Sequence, residues 1–500
     1  MDENTSATTA RQSGLIVGVA LILGILADHL FFEIVPGLNF TVFAVAVVAS
    51  FLGLQVYLGK IFQRDLFWPV PLLLFLALMV SIRANILLTF LNIVGCGLLL
   101  LLIAEVSVRG SVRNFVLFDY LKLLVPANFV TAFFKVIGNV WSIRKAEGDS
   151  ARMPHIIRGI LITAPVLILF TVLFSSADLV FSKYVSQVFS FDFNVVPHVF
   201  VVLLVAVYLV AVFGYAFFGV YSHGRVSSRA FFRLGYTEIA ILLGSVNALF
   251  LAFILIQITY LFGGESNITS QGLTFAEYAR KGFFELIAVA TFSYLLLLAT
   301  EKLIERNGTT HSRTFKIVST AVVIQLGVIM ISASMRLSLY ENAFGFTTLR
   351  LYSHAFILLL GVVFVFLAQK ILVDGKDETL AFRTFLAVAS FLVLMNMFNP
   401  DLFIAKKNIE RYHTIQKIDA AYLSELSADA TPATLQLLDA VDEDVRNHVG
   451  RVLYAKIHVG PLGLYSLNYA RSVEQSMLSQ KSEQLKEYEF AGSNPTFLAP

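Results

Sequence analysis

One cysteine in 500 residues, Cys96, excludes an intramolecular disulfide and a thiolate metal site. Charge is scarce as well. Asp, Glu, Lys and Arg make up 14% of the chain, against about 25% in an average soluble protein. The formal net charge of +3 is not gathered into a basic domain, so the sequence carries no electrostatic footprint for nucleic acid. Familiar chemical motifs are missing too: there is no Walker A, G-x-S-x-G, G-x-G-x-x-G or HExxH, and no closely spaced His/Cys set. No catalytic residue, metal or cofactor is therefore assigned. The balance is against an enzyme without deciding the matter.

Hydrocarbon is what the chain has in abundance, with 57% hydrophobic residues and 46 phenylalanines. Apolar runs of about 17–25 residues read as membrane spans. Eleven are expected, at 14–34, 38–58, 68–82, 86–106, 156–174, 195–220, 239–262, 283–300, 315–335, 351–373 and 382–398. The third is short enough to be re-entrant. The expected fold is all-α, a polytopic helical membrane protein with about eleven transmembrane helices and a small C-terminal helical domain. Its parts are N-terminal helices one to four (1–108), a cytoplasmic interfacial amphipathic segment (109–155), core helices five to eleven (156–399), an extracytoplasmic helical domain (400–490) and a tail (491–500). Within the C-terminal domain Thr431-Pro432 reads as a helix start, opening a segment through Leu435, Leu438, Val441, Val445, Val449 and Leu453.

With the N-terminus inside, the inner segments hold 21 basic residues and the outer loops 6, which follows the positive-inside rule. An odd number of spans then places the C-terminal domain outside, although Lys406, Lys407, Arg411 and Lys417 just past the last span argue mildly the other way. On this topology, mixed acids, bases and amides collect at the outer ends of spans. Charge near hydrocarbon costs roughly 2.5–3.5 kcal/mol per group at a bilayer centre, so such groups need a partner, a polar cavity or an interface. The candidate ligand-binding residues are Glu277, Arg280, Glu285, Arg336, Tyr340, Arg350 and His354, with Asp28, Glu33, Asp178, Gln257 and Asn399 as secondary candidates. Arg336 with Tyr340, and Arg350 with His354, are four residues apart and share helix faces. Two arginines flanking one short loop suit a carboxylate or phosphate through forked hydrogen bonds. The plainer reading, that each group is an interfacial anchor or a local ion pair, stands at even odds with it. Glu285, with Arg336 and Arg350 as partners, is the residue to test first.

Six runs occur in order that carry a family likeness: SSADLVFS, QITYLFGG, GLTFAEYARKGFFEL, MRLSLYENAFGFTTLRLY, NPDLFIAKKNIERY and DAAYLSELSADATP. Over roughly 156–432 the chain resembles the bacterial membrane proteins grouped as domain of unknown function 4173. The resemblance implies a multi-pass protein of the bacterial cytoplasmic membrane and no named activity. Three functions are carried forward. The first is transport or flipping of an anionic or amphipathic envelope compound, with lipid bilayer and an anionic lipid or lipid-linked substrate as partners. The second is a non-catalytic envelope or signalling scaffold that meets an envelope protein through the C-terminal domain. The third is a polyprenyl-phosphate-dependent glycosyltransferase using Asp28 or Glu33 as base, against which the short first outer loop tells.

Overall fold

The computed structural model describes residues 3–124, 127–145, 174, 178, 195–219, 235–261, 283–304, 309–458 and 463–489. Among them there is no β-strand, and ten helices are long and apolar enough to cross a membrane. These ten coincide with ten of the eleven expected spans. The other, 156–174, lies outside the described residues except for Phe174. In hydrocarbon each backbone polar group must find its partner within the segment, and a helix is the local solution. Between 22% and 44% of each span is buried inside the protein. The outward remainder is apolar, with Ile22, Ile86 and Leu358 all exposed. Such surface belongs against lipid, and the protein is an all-α, multi-pass membrane protein.

The chain forms two compact units. Unit one comprises Met1–Leu78, Gly95–Ser111 and Lys122–Tyr221; unit two comprises Met79–Val94, Val112–Leu121 and Ser222–Pro500. In unit one, helices α1 (Glu3–Phe31) and α2 (Leu38–Tyr57) are joined by a turn that buried Asn39 closes. Its Nδ2 donates to Leu30 O at 2.8 Å and Val35 O at 3.3 Å, and its Oδ1 accepts from the N–H groups of Gly37 and Phe40. Helices α3 (Pro69–Ile82), α4 (Ile86–Arg109) and the short α5 (Leu117–Lys122) are shared between the units. The amphipathic α6 (Ala127–Lys145) buries Phe129, Ala132 and Val136 and packs on α1 and on α7 (Val195–Phe218). A Cβ at Gly24 would lie 2.6 Å from Val202 O, so glycine is what lets α1 and α7 approach.

Unit two contains α8 (Tyr236–Leu261), α9 (Phe283–Leu303), α10 (Thr309–Phe344), α11 (Thr348–Val373) and α12 (Asp377–Phe398). Helix α10 packs on α8, α9 and α11, and α11 packs on α12. With 36 residues α10 is about 54 Å long. It runs past the expected end at residue 335, so Arg336, Tyr340 and Glu341 stand on a helix and the connection to α11 shrinks to residues 345–347. At the far end of α11, buried Lys370 pairs with Glu301 at 2.7 Å and with Asp377, tying α9, α11 and α12 together.

The C-terminal helices follow: α13 (Pro400–Ile415), α14 (Ala420–Glu425), α15 (Thr431–Thr434), α16 (Glu443–Ile457), α17 (Tyr469–Gln480) and α18 (Ser482–Leu485). They enclose an apolar core that includes Ile404, Leu423, Leu438, Val449, Leu453 and Leu478, against which Phe346 and Leu351 pack. The helix expected to run on from Thr431 stops after one turn. A 3-10 stretch buries Leu435, Leu437 and Leu438, and Asp442 then caps a new helix through the N–H groups of Asp444 and Val445. Val441, expected on the apolar face, is 92% exposed.

The Arg83-Ala84-Asn85 turn between α3 and α4 is clasped by this C-terminal segment. Asp429 accepts from Ala84 N at 2.6 Å and from Arg83 Nη1 at 3.3 Å; Asp401 accepts from Asn85 Nδ2 at 2.7 Å and from Ser427 N at 3.1 Å. Arg83 also donates through Nε to Asn396 O, and Asn92 and Asn396 exchange both amide bonds at 2.8 Å. Asn468 completes the clasp by donating to Val80 O and Arg83 O.

Candidate functional site

Where α10 ends and α11 begins, two polar features stand close in sequence and differ in chemistry. The first is a chain of three side chains. Glu341 Oε2 lies 3.1 Å from His354 Nε2, and His354 Nδ1 lies 3.2 Å from Ser334 Oγ. Ser334 and Glu341 are two turns apart on α10, hence on one face, and His354 reaches both from α11. Glu341 is 3% exposed, and its Oε1 has no hydrogen-bond partner among the described residues. Nearby, Ser332 Oγ donates to the buried Gln257 Oε1, tying α8 to α10.

A buried carboxylate with one oxygen unsatisfied is expensive unless it is protonated or faces a cation. The imidazole answers this in either state. Neutral, it donates from Nε2 to Glu341 and accepts the Ser334 hydroxyl at Nδ1; protonated, it donates to both. A proton can therefore enter or leave without breaking the chain. Serine, imidazole and carboxylate also make up a nucleophilic triad. Here Ser334 lies inside α10, whose backbone N–H groups are spent within the helix, so α10 itself offers no oxyanion donors of the kind acyl transfer needs. The arrangement fits proton exchange.

The second feature is a cavity of about 190 Å³ lined by Phe344, Phe346, Thr347, Arg350, Asn408, Arg411, Ile418, Asp419 and Tyr422. Gly345 makes the turn above it, with φ +85 and with Asn408 Oδ1 2.4 Å from where a Cβ would sit. Asn408 holds the next residue from both sides, accepting from Phe346 N and donating to Phe346 O. Arg411 Nε donates to Asn342 O at 3.0 Å, with further bonds to Ala343 O and Lys417 O; Arg350 Nη1 donates to Gly345 O. The Arg350 guanidinium lies 4.0 Å from the centre of the Tyr340 ring. Burial and the neighbouring Arg350 push Arg411 below its ordinary value.

The structure regroups the residues singled out from sequence. His354 pairs with Glu341 in place of Arg350, and Arg350 stacks on Tyr340, which the spacing had placed beside Arg336. Arg336 is buried on α10. Glu285 stands exposed in the first turn of α9, with no hydrogen bond or ion pair to another described residue, so the partnership with Arg336 and Arg350 does not form. Asn399 is the cap of α13, in the left-handed region with φ 55, accepting from Leu402 N. In unit one, Asp28 meets His198 at 2.9 Å, the imidazole stacking on Phe32, while Glu33 is exposed in the α1–α2 turn. Asp178 is exposed, and Glu277 and Arg280 lie outside the described residues. Sequence reasoning missed Ser334, His198 and Arg411 as members of these clusters. Only Ser334 left a trace, its seven-residue interval to Glu341.

Residues 71–437 match the family described as Domain of unknown function (DUF4153). The chain belongs to that family. A family of unknown function was expected from the six runs, and the one shown is DUF4153, not the group numbered 4173. The match begins within α3 and takes in the Arg83 turn, the Glu341–His354–Ser334 chain and every residue lining the cavity. No curated protein and no solved structure matches the chain.

Proposed function

We propose that unit two of this DUF4153 protein moves an anionic, amphipathic envelope compound across or within the membrane, with Glu341 and His354 exchanging a proton during the cycle. The observation that carries the reading is the half-satisfied carboxylate of Glu341, buried at the end of a span and hydrogen-bonded to an imidazole. Ionisable groups in such places mark substrate paths and proton relays by default, because they are too costly to keep otherwise. The uneven distribution of basic residues supports an outward orientation for this end.

The reading is tested with purified protein in vesicles containing fluorescently tail-labelled phosphatidylglycerol, by adding dithionite, which bleaches only the outer leaflet. Wild-type protein is expected to expose the inner-leaflet label faster than protein-free vesicles do. Glu341→Gln and His354→Gln are expected to slow this about tenfold or more, the equivalent of one charge-assisted hydrogen bond. Wild-type protein that gives no acceleration sinks the proposal.

A further inference from the structure

Arg350 and Arg411 bring two guanidinium groups to one headgroup-sized cavity, and among the described residues neither forms a salt bridge. Each guanidinium has five N–H donors. Arg350 spends one hydrogen bond, on Gly345 O, and Arg411 spends three, on Asn342, Ala343 and Lys417 carbonyls. The bonds to Asn342, Ala343 and Gly345 carbonyls cap the end of α10, the one to Lys417 O holds the chain just past α13, and donors on both groups are left unused. Two of the other polar linings are already engaged, Asn408 with Phe346 and Tyr422 OH with Thr348 N and Oγ1, while the Thr347 side chain makes no capping bond.

Position adds a second argument. Arg350 stands in the first turn of α11, where the helix dipole is already positive and no acidic residue is present. Two guanidinium groups against the single carboxylate of Asp419 leave the lining net positive at that place, so the cavity favours an anion. The single acid, Asp419, is engaged in capping α14 through Tyr422 N and offers its remaining acceptor capacity to a hydroxyl. The cavity also lies where one span ends at Phe344 and the next starts at Thr348, which is the level of lipid headgroups. Phe344, in its lining, is 53% exposed, so apolar surface borders the cavity. At about 190 Å³ the space is smaller than the roughly 300–1,000 Å³ typical of sites enclosing a whole organic ligand.

We infer that the Arg350–Arg411 cavity binds the phosphate of a hydroxyl-bearing headgroup, the two guanidinium groups holding the phosphate oxygens and Asp419 the hydroxyl. This deepens the transport reading by naming the substrate class. Binding is measured in detergent, where nothing can be transported, so the two ideas fail separately.

The experiment uses the full chain, delipidated in detergent. Native mass spectrometry measures retention of phosphatidylglycerol against phosphatidylcholine, and calorimetry measures binding of inorganic phosphate. Preferential retention of phosphatidylglycerol supports a lipid headgroup as the source. Phosphate binding that phosphatidylglycerol does not displace supports a soluble phosphate compound at the same site. Arg350→Gln is expected to weaken whichever binding is seen about tenfold. Thr347→Asp is the independent variant: aspartate is a favoured N-cap at that position, so α11 is retained while a carboxylate occupies the guanidinium donors. It too is expected to suppress binding about tenfold, with an unchanged or raised unfolding midpoint. Absence of binding in both arms overturns the inference, as does binding that a folded Thr347→Asp protein retains in full.

Discussion

Among the buried polar clusters of unit two, the one around Asp429 and the one around Glu341 are built on different terms. Around Asp429 each carboxylate oxygen has a donor, Arg83 spends itself on Asn396 O, Met397 O and Asp429, and the Asn92–Asn396 amides answer one another. Around Glu341 one carboxylate oxygen is buried with no partner among the described residues, beside an imidazole that can hydrogen-bond in either protonation state. A network that satisfies every member rigidifies and specifies one arrangement. A network left one partner short stores a demand for a proton or cation. The first cluster holds the C-terminal helices on the 83–85 turn, and the second is where the proposed proton exchange would take place.

That difference can be attacked from both sides. The largest effect is expected for Asp429→Ala, which strands the Ala84 N–H and the Arg83 charge. A loss of about 3 kcal/mol should appear as a lowered unfolding midpoint in detergent, with residues 400–489 open to protease first. Asn396→Ala, which orphans the Asn92 amide, should cost about 1 kcal/mol in the same measurement. Glu341→Gln keeps a hydrogen-bonding group of the same shape while removing the charge. Its midpoint should stay within about 1 kcal/mol of wild type while the proposed lipid movement is lost, and a large loss of stability would place Glu341 with the structural cluster instead.

The smallest effect is a pH dependence. Burial, opposed by the Ala84 N–H and Arg83, leaves the Asp429 carboxyl above its ordinary value. The folded protein then binds this proton more tightly than the unfolded chain does. The group's contribution to stability is accordingly complete below its unfolded value of about 3.9 and is lost as pH rises through the higher folded value. The midpoint of wild type relative to Asp429→Asn should therefore rise on acidification, and a difference that stays level across that range would contradict the assigned direction.

Much of the fold was legible in the chain. Apolar runs located ten spans because hydrocarbon obliges each segment to satisfy its own backbone, and that obligation is local. The span ending at residue 335 fell short of α10, although the helical spacing of Arg336 and Tyr340 already pointed to the helix continuing there. In the C-terminal domain the helical spacing through Val441 was real as a pattern and wrong as an element. Asp442 captures two N–H groups and restarts the helix there.

The candidate sites were legible only as a district. Polar residues gathered near the ends of spans could be seen in the sequence, and so could the prospect of two arginines converging beside the Gly345 turn. Which two was settled by α13: it delivers Arg411 to the carbonyls closing α10, a contact between residues 69 positions apart. His354 likewise answers Glu341 across two helices although Arg350 is its neighbour at helical spacing. Length, hydropathy and charge distribution determined by themselves that this is a helical membrane protein and where most of its helices run, because those properties follow from each segment's own exchange with lipid. The tertiary structure alone decided which polar groups meet one another, because that depends on side chains brought together by packing.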